Sequence, residues 1–260
     1  MSELSHDKVL IEKTGAITTV TINRPERRNA VDAETGKLLL AAFVAFDEDP
    51  TQSVAILRGT GDYFCAGFDL KSLSSKSLDY DPAAEGLMGP TRRLLSKPVI
   101  AAVEGYAVAG GLELALWCDL RVAAKTASFG VFCRRWGVPL IDGGTIRLPR
   151  LIGQSRALDM ILTGREVRAD EALSFGLANR LTDKGGAYAA AFELAEQLCA
   201  FPQLCMQVDR MTSHQQWGLD IEDALKLEAI EGEKPVLAEA QSGAARFSSG
   251  LGRGGDFSKI

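Results

Sequence analysis

Three short runs constrain this chain more than any other feature: SVAILR (53–58), PVIAAV (98–103) and LRVAAK (beginning at Leu120). Each is apolar on consecutive positions rather than on alternate ones. Such strands are buried on both faces, as in parallel sheets whose crossovers cover them with helices. Upstream, AITTVTIN (16–23) alternates and is β-branched. With the segment from residue 8 it reads as two strands around a turn at Thr14-Gly15. Residues 32–47 place Leu38, Leu39, Ala42, Phe43 and Phe46 at helical spacing. Up to about residue 125 the order is strand, strand, helix, strand, helix, strand, helix, strand, which defines an α/β chain with crossovers.

After residue 140 the pattern turns helical, at 143–163, 168–175, 186–200, 203–214 and 219–241, with one short strand, ANRL (178–181). Pro235 is expected to end or kink the last helix. Residues 75–90 and the tail SSGLGRGGDFSKI read as loop. This division gives a core domain over 1–200 and a helical C-terminal region over 201–260.

The bulk numbers narrow the function. An apolar fraction of 46% supports a substantial core. The net charge of −5 lacks the basic footprint of a nucleic-acid protein. The start, MSELSHDKVL, has no apolar h-region, so no secretory signal is expected. No apolar run is long enough to span a bilayer. Five cysteines form no CxxC pair, which points to free buried thiols and a cytoplasmic setting. The only histidines are His6 and His214. A Ser-His-Asp triad or a histidine-rich metal site has almost nothing to work with. Catalysis here must use carboxylates, backbone dipoles or less usual groups, and no metal is expected.

One carboxylate stands out. Glu113 sits inside YAVAGGLELALWCDLR (106–121), a stretch apolar enough for the interior. A buried carboxylate is costly unless it is hydrogen-bonded, paired or protonated. Two glycine loops share a plan: GTGDYFCAGFDL (59–70) follows SVAILR, and GYAVAGGLE (105–113) follows PVIAAV. Each leads into a helix, whose first N–H groups lack internal partners. Two such groups converging on one oxygen would form an oxyanion hole. Most strand-Gly-helix junctions are only turns, and the residues alone leave that alternative open.

Five collinear segments carry a resemblance: NRPERRNAVD (23–32), YFCAGFDL (63–70), KPVIAAVEGYAVAGGLELALWCDLRVA (97–123), GGTIRLPRLIG (143–153) and LTGREVRADEALSFGLANRL (162–181). Together they resemble the crotonase, or enoyl-CoA hydratase/isomerase, superfamily. The resemblance implies a spiral of ββα units, a coenzyme A thioester as substrate with no other cofactor, and assembly as trimers or dimers of trimers through C-terminal helices. By position it implies oxyanion donors at the N–H groups of Phe68 and Gly110, and an acid/base at Glu113. It also implies coenzyme A or substrate contacts at Arg27, Arg28, Ala66, Asp69, Leu70, Gly111 and Trp136.

The match fails at one place. Hydratases of this type carry a second glutamate in the loop that here reads FGVFCRRWGVPLIDGG (129–144), and its ungapped position is Cys133. Asp142 is the better candidate for the second proton-transfer group, its alternative being a helix N-cap. Arg134 or Arg135 could pair a carboxylate on the acyl group, or serve as surface salt bridges. Arg246, Arg253 and Lys259 are candidates for the phosphate contacts of a missing basic tail. The expected activity is enoyl-CoA hydration. Double-bond isomerisation and decarboxylation of a malonyl-type thioester are alternatives, and a non-catalytic acyl-CoA binder is the alternative from another class.

Overall fold

The computed structural model describes residues 8–75 and 80–252. His6, Arg253 and Lys259 lie outside the described residues. Strands β1 (Val9–Thr14) and β2 (Ile17–Ile22) form an antiparallel hairpin. Helix α1 (Ala33–Glu48) then returns the chain to β3 (Val54–Gly59), parallel to β2. The sheet continues in parallel through β4 (Val99–Val103), β6 (Leu120–Ala124) and β9 (Arg180–Thr182). The consecutive apolar residues of β3, β4 and β6 are needed because both faces are covered there. Helices α1, α2 (Leu70–Ser75) and α3 (Gly110–Trp117) follow β2, β3 and β4 on the way to the next strand. On the other face, Ala187, Ala191, Leu194 and Ala195 of α7 (Ala187–Ala200) pack with Ile56, Ile100 and Val122.

A second layer makes the chain a spiral. Strand β5 (Tyr106–Val108) pairs in parallel with β7 (Ser128–Gly130), which pairs with the two-residue β8 (Val167–Arg168). Single parallel bridges, Val31 to Phe68 and Cys65 to Ala107, extend this layer to earlier turns of the chain. The unit β4-β5-α3 shows the plan: a strand of the large sheet, a short strand of the inner layer, then a helix. This is the ββα spiral with a helical C-terminal region that the sequence led us to expect.

The seat of α3 is reinforced by a fully buried arginine. Arg121 of β6 spends its guanidinium on the carbonyls of Leu177 (2.6 Å), Cys118 (2.8 Å), Ala115 (3.2 Å) and Asp119 (3.2 Å). Two of those carbonyls belong to the end of α3, which has no internal donor for them. The charge is thereby solvated by backbone oxygens, and α3 is held against the turn that leads to β9.

Two helical boundaries differ from expectation. The run at 143–163 is two helices, α4 (Gly144–Ile152) and α5 (Gln154–Thr163), because Gly153 takes φ 82° and ψ 155° between them. Helix α6 (Ala169–Phe175) precedes β9, and α8 (Gln203–Gln215) follows α7. Pro235 ends the last long helix as expected, but the helical run does not stop there. Helix α9 (Ile221–Pro235) passes into a π-helical stretch, Val236–Ala240, and then α10 (Gln241–Ser248). The wider turn is one way a helix absorbs a missing N–H. Arg210 of α8 ties this region to the core through Asp119 (2.8 Å) and the Leu95 carbonyl (2.7 Å).

Candidate active site

Helix α3 is apolar all round and buried along its whole length, so Glu113 goes inside with it. The residue is 2% exposed. Its Oε1 accepts from the backbone N–H groups of Asp142 (2.9 Å) and Gly144 (2.8 Å). Gly144 opens α4, and the residue before it, Gly143, has no side chain to cap the helix. Glu113 supplies the missing acceptor from across the fold. Oε2 has no protein partner among the described residues and opens on a cavity. Burial pushes the carboxyl pKa up; the N–H groups of Gly144 and Asp142 and the charge of Arg147 oppose this, and the charge of Asp142 adds to it. The result is a pKa of about 7. Such a group gives and takes protons readily near neutral pH.

Asp142 is equally enclosed, at 2% exposure. It does not cap α4. Its Oδ1 accepts from the Met88 N–H (3.1 Å) and from the Thr91 hydroxyl. Arg147 stands behind it, bonded to the carbonyls of Asp142 (3.1 Å) and Thr91 (2.6 Å). The other carboxylate oxygen opens on the same cavity as Glu113.

Cys133 lies in the 3-10 turn Phe132–Trp136 and lines the cavity. Burial and the charge of Glu113 push its thiol pKa up. It is a protonated wall group at neutral pH and a poor base.

The two glycine loops meet at the cavity. Val31 donates to the Gly67 carbonyl and Asp69 donates to the Val31 carbonyl, both at 2.8 Å. These bonds occupy one edge of the segment and leave the Phe68 N–H without an acceptor among the described residues. Gly110 is the first residue of α3, and its N–H is likewise unspent. Gly67 sits at φ +97°, and a Cβ there would lie 3.0 Å from the Gly110 nitrogen. Only a glycine lets the loops close so tightly. Ala109, which aims Gly110, holds φ 53° and ψ −125°, a region costly for any residue with a Cβ. Ala109→Gly is expected to raise stability by about 1 kcal/mol, the relieved strain exceeding the added chain entropy. Urea unfolding measures this directly.

The cavity holds about 560 Å³. Met88, Val108, Phe132, Val138 and Ile141 make its wall largely apolar. Of the residues marked in the sequence, Glu113, Asp142, Cys133, Phe68, Gly110, Arg28, Ala66, Leu70 and Trp136 line it together. Trp136 is 70% exposed and stands at the mouth. Arg27, Asp69 and Gly111 are not in the wall. Asp69 is paired with buried Arg24 at 3.0 Å, and Arg24 also reaches Asp32 at 3.1 Å, which pins the first loop to the segment before α1. Gly111 faces the Cys65 carbonyl oxygen, with which a Cβ would collide. Arg134 and Arg135 turn away from the cavity, to the carbonyls of Ile161 (3.0 Å) and Gly164 (3.1 Å). Met88 and Thr91 went unnoticed in the sequence, since they lie in or beside a stretch with no periodicity.

The fold is a ββα spiral, and its cavity joins two buried carboxylates to two free backbone N–H groups, as in an enzyme site. The sequence profile of the enoyl-CoA hydratase/isomerase family matches residues 12–248. An enoyl-CoA hydratase of Mycobacterium tuberculosis is 36% identical over 247 residues, covering 92% of each chain. A carnitinyl-CoA dehydratase of Salmonella enteritidis is 41% identical over 201 residues, covering 76% of this chain and 75% of its own. The crystal structure of an enoyl-CoA hydratase from M. tuberculosis superposes with a TM-score of 0.87 at 37% identity, covering 94% of this chain and 96% of that one. The chain belongs to the enoyl-CoA hydratase/isomerase family, within the crotonase superfamily. It is a family enzyme acting on acyl-CoA thioesters. Among the described residues, no helix is long and apolar enough to cross a membrane.

Proposed function

We propose that the protein is an enoyl-CoA hydratase in which Glu113 and Asp142 are the proton-transfer pair and the N–H groups of Phe68 and Gly110 hold the thioester oxygen. One observation carries this reading: two buried carboxylates, 29 residues apart in the chain, line one apolar cavity, each with an oxygen that has no partner among the described residues. Water held between those oxygens adds to the β-carbon, and its proton passes to a carboxylate. The electrons of the double bond move onto the thioester oxygen as an enolate, against the two N–H groups. The α-carbon then takes a proton from the carboxyl pair. Removing one such N–H donor typically costs roughly 10²–10³ in rate. A carboxyl poised near neutrality beside two free N–H donors supports turnover over mere binding. The dehydratase relative supports the assignment, since elimination of water is the same reaction run backwards.

Double-bond isomerisation is the second reading, favoured by Glu113 alone: a single group with a pKa of about 7 can shuttle one proton between two carbons. Decarboxylation of a malonyl-type thioester loses its motive, because the arginines expected to hold the carboxylate face elsewhere.

The reading includes coenzyme A entering past Arg28, Ala66, Leu70 and Trp136. It also includes a cytoplasmic homotrimer, or dimer of trimers, joined through residues 201–260. Ile221, Leu225, Ile230, Leu237 and Phe247 are exposed there and would be covered by assembly. Crotonyl-CoA mixed with the protein in D₂O, followed by proton NMR, tests the reaction. Appearance of 3-hydroxybutyryl-CoA is the expected result. Interconversion of 2- and 3-enoyl thioesters without hydration would replace this reading with the isomerase one.

A further inference from the structure

Arg147 stands in the first turn of α4, where a cation opposes the positive end of the helix dipole. Partial burial disfavours its charge further. The chain nevertheless makes room for it: Gly143 holds φ +98°, and a Cβ there would run into the guanidinium. One guanidinium nitrogen donates to the Asp142 carbonyl (3.1 Å) and another to the Thr91 carbonyl (2.6 Å). Those two residues are also joined by the bond from the Thr91 hydroxyl to Asp142 Oδ1. One planar fork therefore fixes both ends of the bond that spends one Asp142 oxygen, while the other has no partner among the described residues. Arg147 itself is not in the cavity wall.

Few charged or titratable groups surround it. Glu113 faces it from α3 and Cys118 from the end of that helix, Asp142 from the preceding loop and Arg150 from its own helix. Glu113 in turn feels Asp142 and Arg147, with Cys133 near it on the 3-10 turn. Of these side chains, only Arg147 favours the Glu113 anion.

We infer that Arg147 is a positioning residue for the reaction: from behind the wall it orients Asp142 through two carbonyl bonds and favours the anion of Glu113 by its charge. This rests on the reading of Glu113 and Asp142 as the proton-transfer pair, and it adds the group that keeps the pair in working order. An opposite charge close to a carboxyl lowers its pKa by roughly 1–3 units.

Two variants of the whole protein separate charge from geometry. Arg147→Gln removes the charge and keeps an amide donor for the Thr91 carbonyl. Arg147→Lys keeps the charge and gives up the fork. Infrared difference spectroscopy follows the carboxyl band that disappears in Glu113→Gln, and it needs no turnover. The midpoint of that band is expected near pH 7 in the native protein and in Arg147→Lys, and about one unit higher in Arg147→Gln. Crotonyl-CoA hydration is expected to fall roughly tenfold or more in Arg147→Lys, because the acid is misplaced. Exchange of the butyryl-CoA α-hydrogen, which needs Glu113 alone, should hold its rate there. A merely structural arginine would lower stability in both variants and leave the midpoint where it was. An unmoved midpoint in Arg147→Gln overturns the inference. An equal rise in both variants does so too, since packing rather than charge would be its source, and so does a native hydration rate in Arg147→Lys. If Arg147→Gln does not fold, the rates of Arg147→Lys still decide. If the native protein does not hydrate crotonyl-CoA, the hydratase reading falls and the band titration still decides the role of Arg147.

Discussion

Glu113→Gln is expected to lower kcat for crotonyl-CoA hydration by roughly 10³-fold, within the usual span of general acid–base catalysis. The same change is expected to make the protein more stable at pH 8. In the folded chain the Glu113 pKa is raised from 4.5 to about 7, so the fold prefers the protonated form. Below pH 4.5 both folded and unfolded chains hold the proton, and the carboxyl costs nothing extra. Between pH 4.5 and 7 the unfolded chain releases the proton while the folded chain keeps it, and stability drains away. Above pH 7 the full cost is present, on the order of 3 kcal/mol. Glutamine never ionises, and its Oε1 can still accept from the N–H groups of Asp142 and Gly144. Urea unfolding at pH 5 and pH 8, run beside the rate assay, separates the two effects. An unchanged kcat would remove Glu113 from the chemistry. A variant less stable at pH 8 would mean that the charge-assisted bonds outweigh burial.

Asp142→Asn is expected to separate water addition from proton exchange. Asparagine keeps an Oδ1 acceptor for Met88 and Thr91 but cannot take a proton from water. Hydration should fall by roughly 10²-fold or more. Exchange of the α-hydrogen of butyryl-CoA with D₂O needs only one base beside the oxyanion donors, and it should persist through Glu113. Removing the Asp142 charge also removes one of the causes that raise the Glu113 pKa. The limb of the exchange pH profile that reports Glu113 should therefore move to lower pH. Equal loss of both reactions would show that Asp142 does not act on water specifically. Loss of neither would move the search for the second group to Cys133.

How much of this was visible in the sequence depends on distance along the chain. The centre of the large sheet was legible because β3, β4 and β6 announce their burial over five or six residues. The inner layer was not, since β5, β7 and β8 are two or three residues long and shorter than any periodicity. Gly153 looked like helix interior because the apolar spacing on both sides stays in phase. Glu113 was legible as the lone acid in an apolar run. The partners of Asp142, by contrast, lie 51 and 54 residues away in a stretch with no pattern. Nothing local distinguished a carboxylate reaching Thr91 from one capping α4. The roles of Asp69 and Gly111 were blurred for a related reason: an ion pair and a tight helix contact select the same residue types that a ligand would.

The bond from Glu113 to the head of α4 has an evolutionary consequence. An apolar replacement would strand two buried N–H groups, at about 1–3 kcal/mol each. Selection for a folded chain therefore protects this glutamate even in a lineage that has stopped using it for its original reaction. Position 133 carries no such obligation, and a cysteine fills it without loss. If Glu113 and Asp142 act as proposed, a scaffold arranged this way could change its reaction by moving one acid along a single loop while the other stays fixed. Inheritance would then preserve the enolate and let the outcome of the enolate diverge.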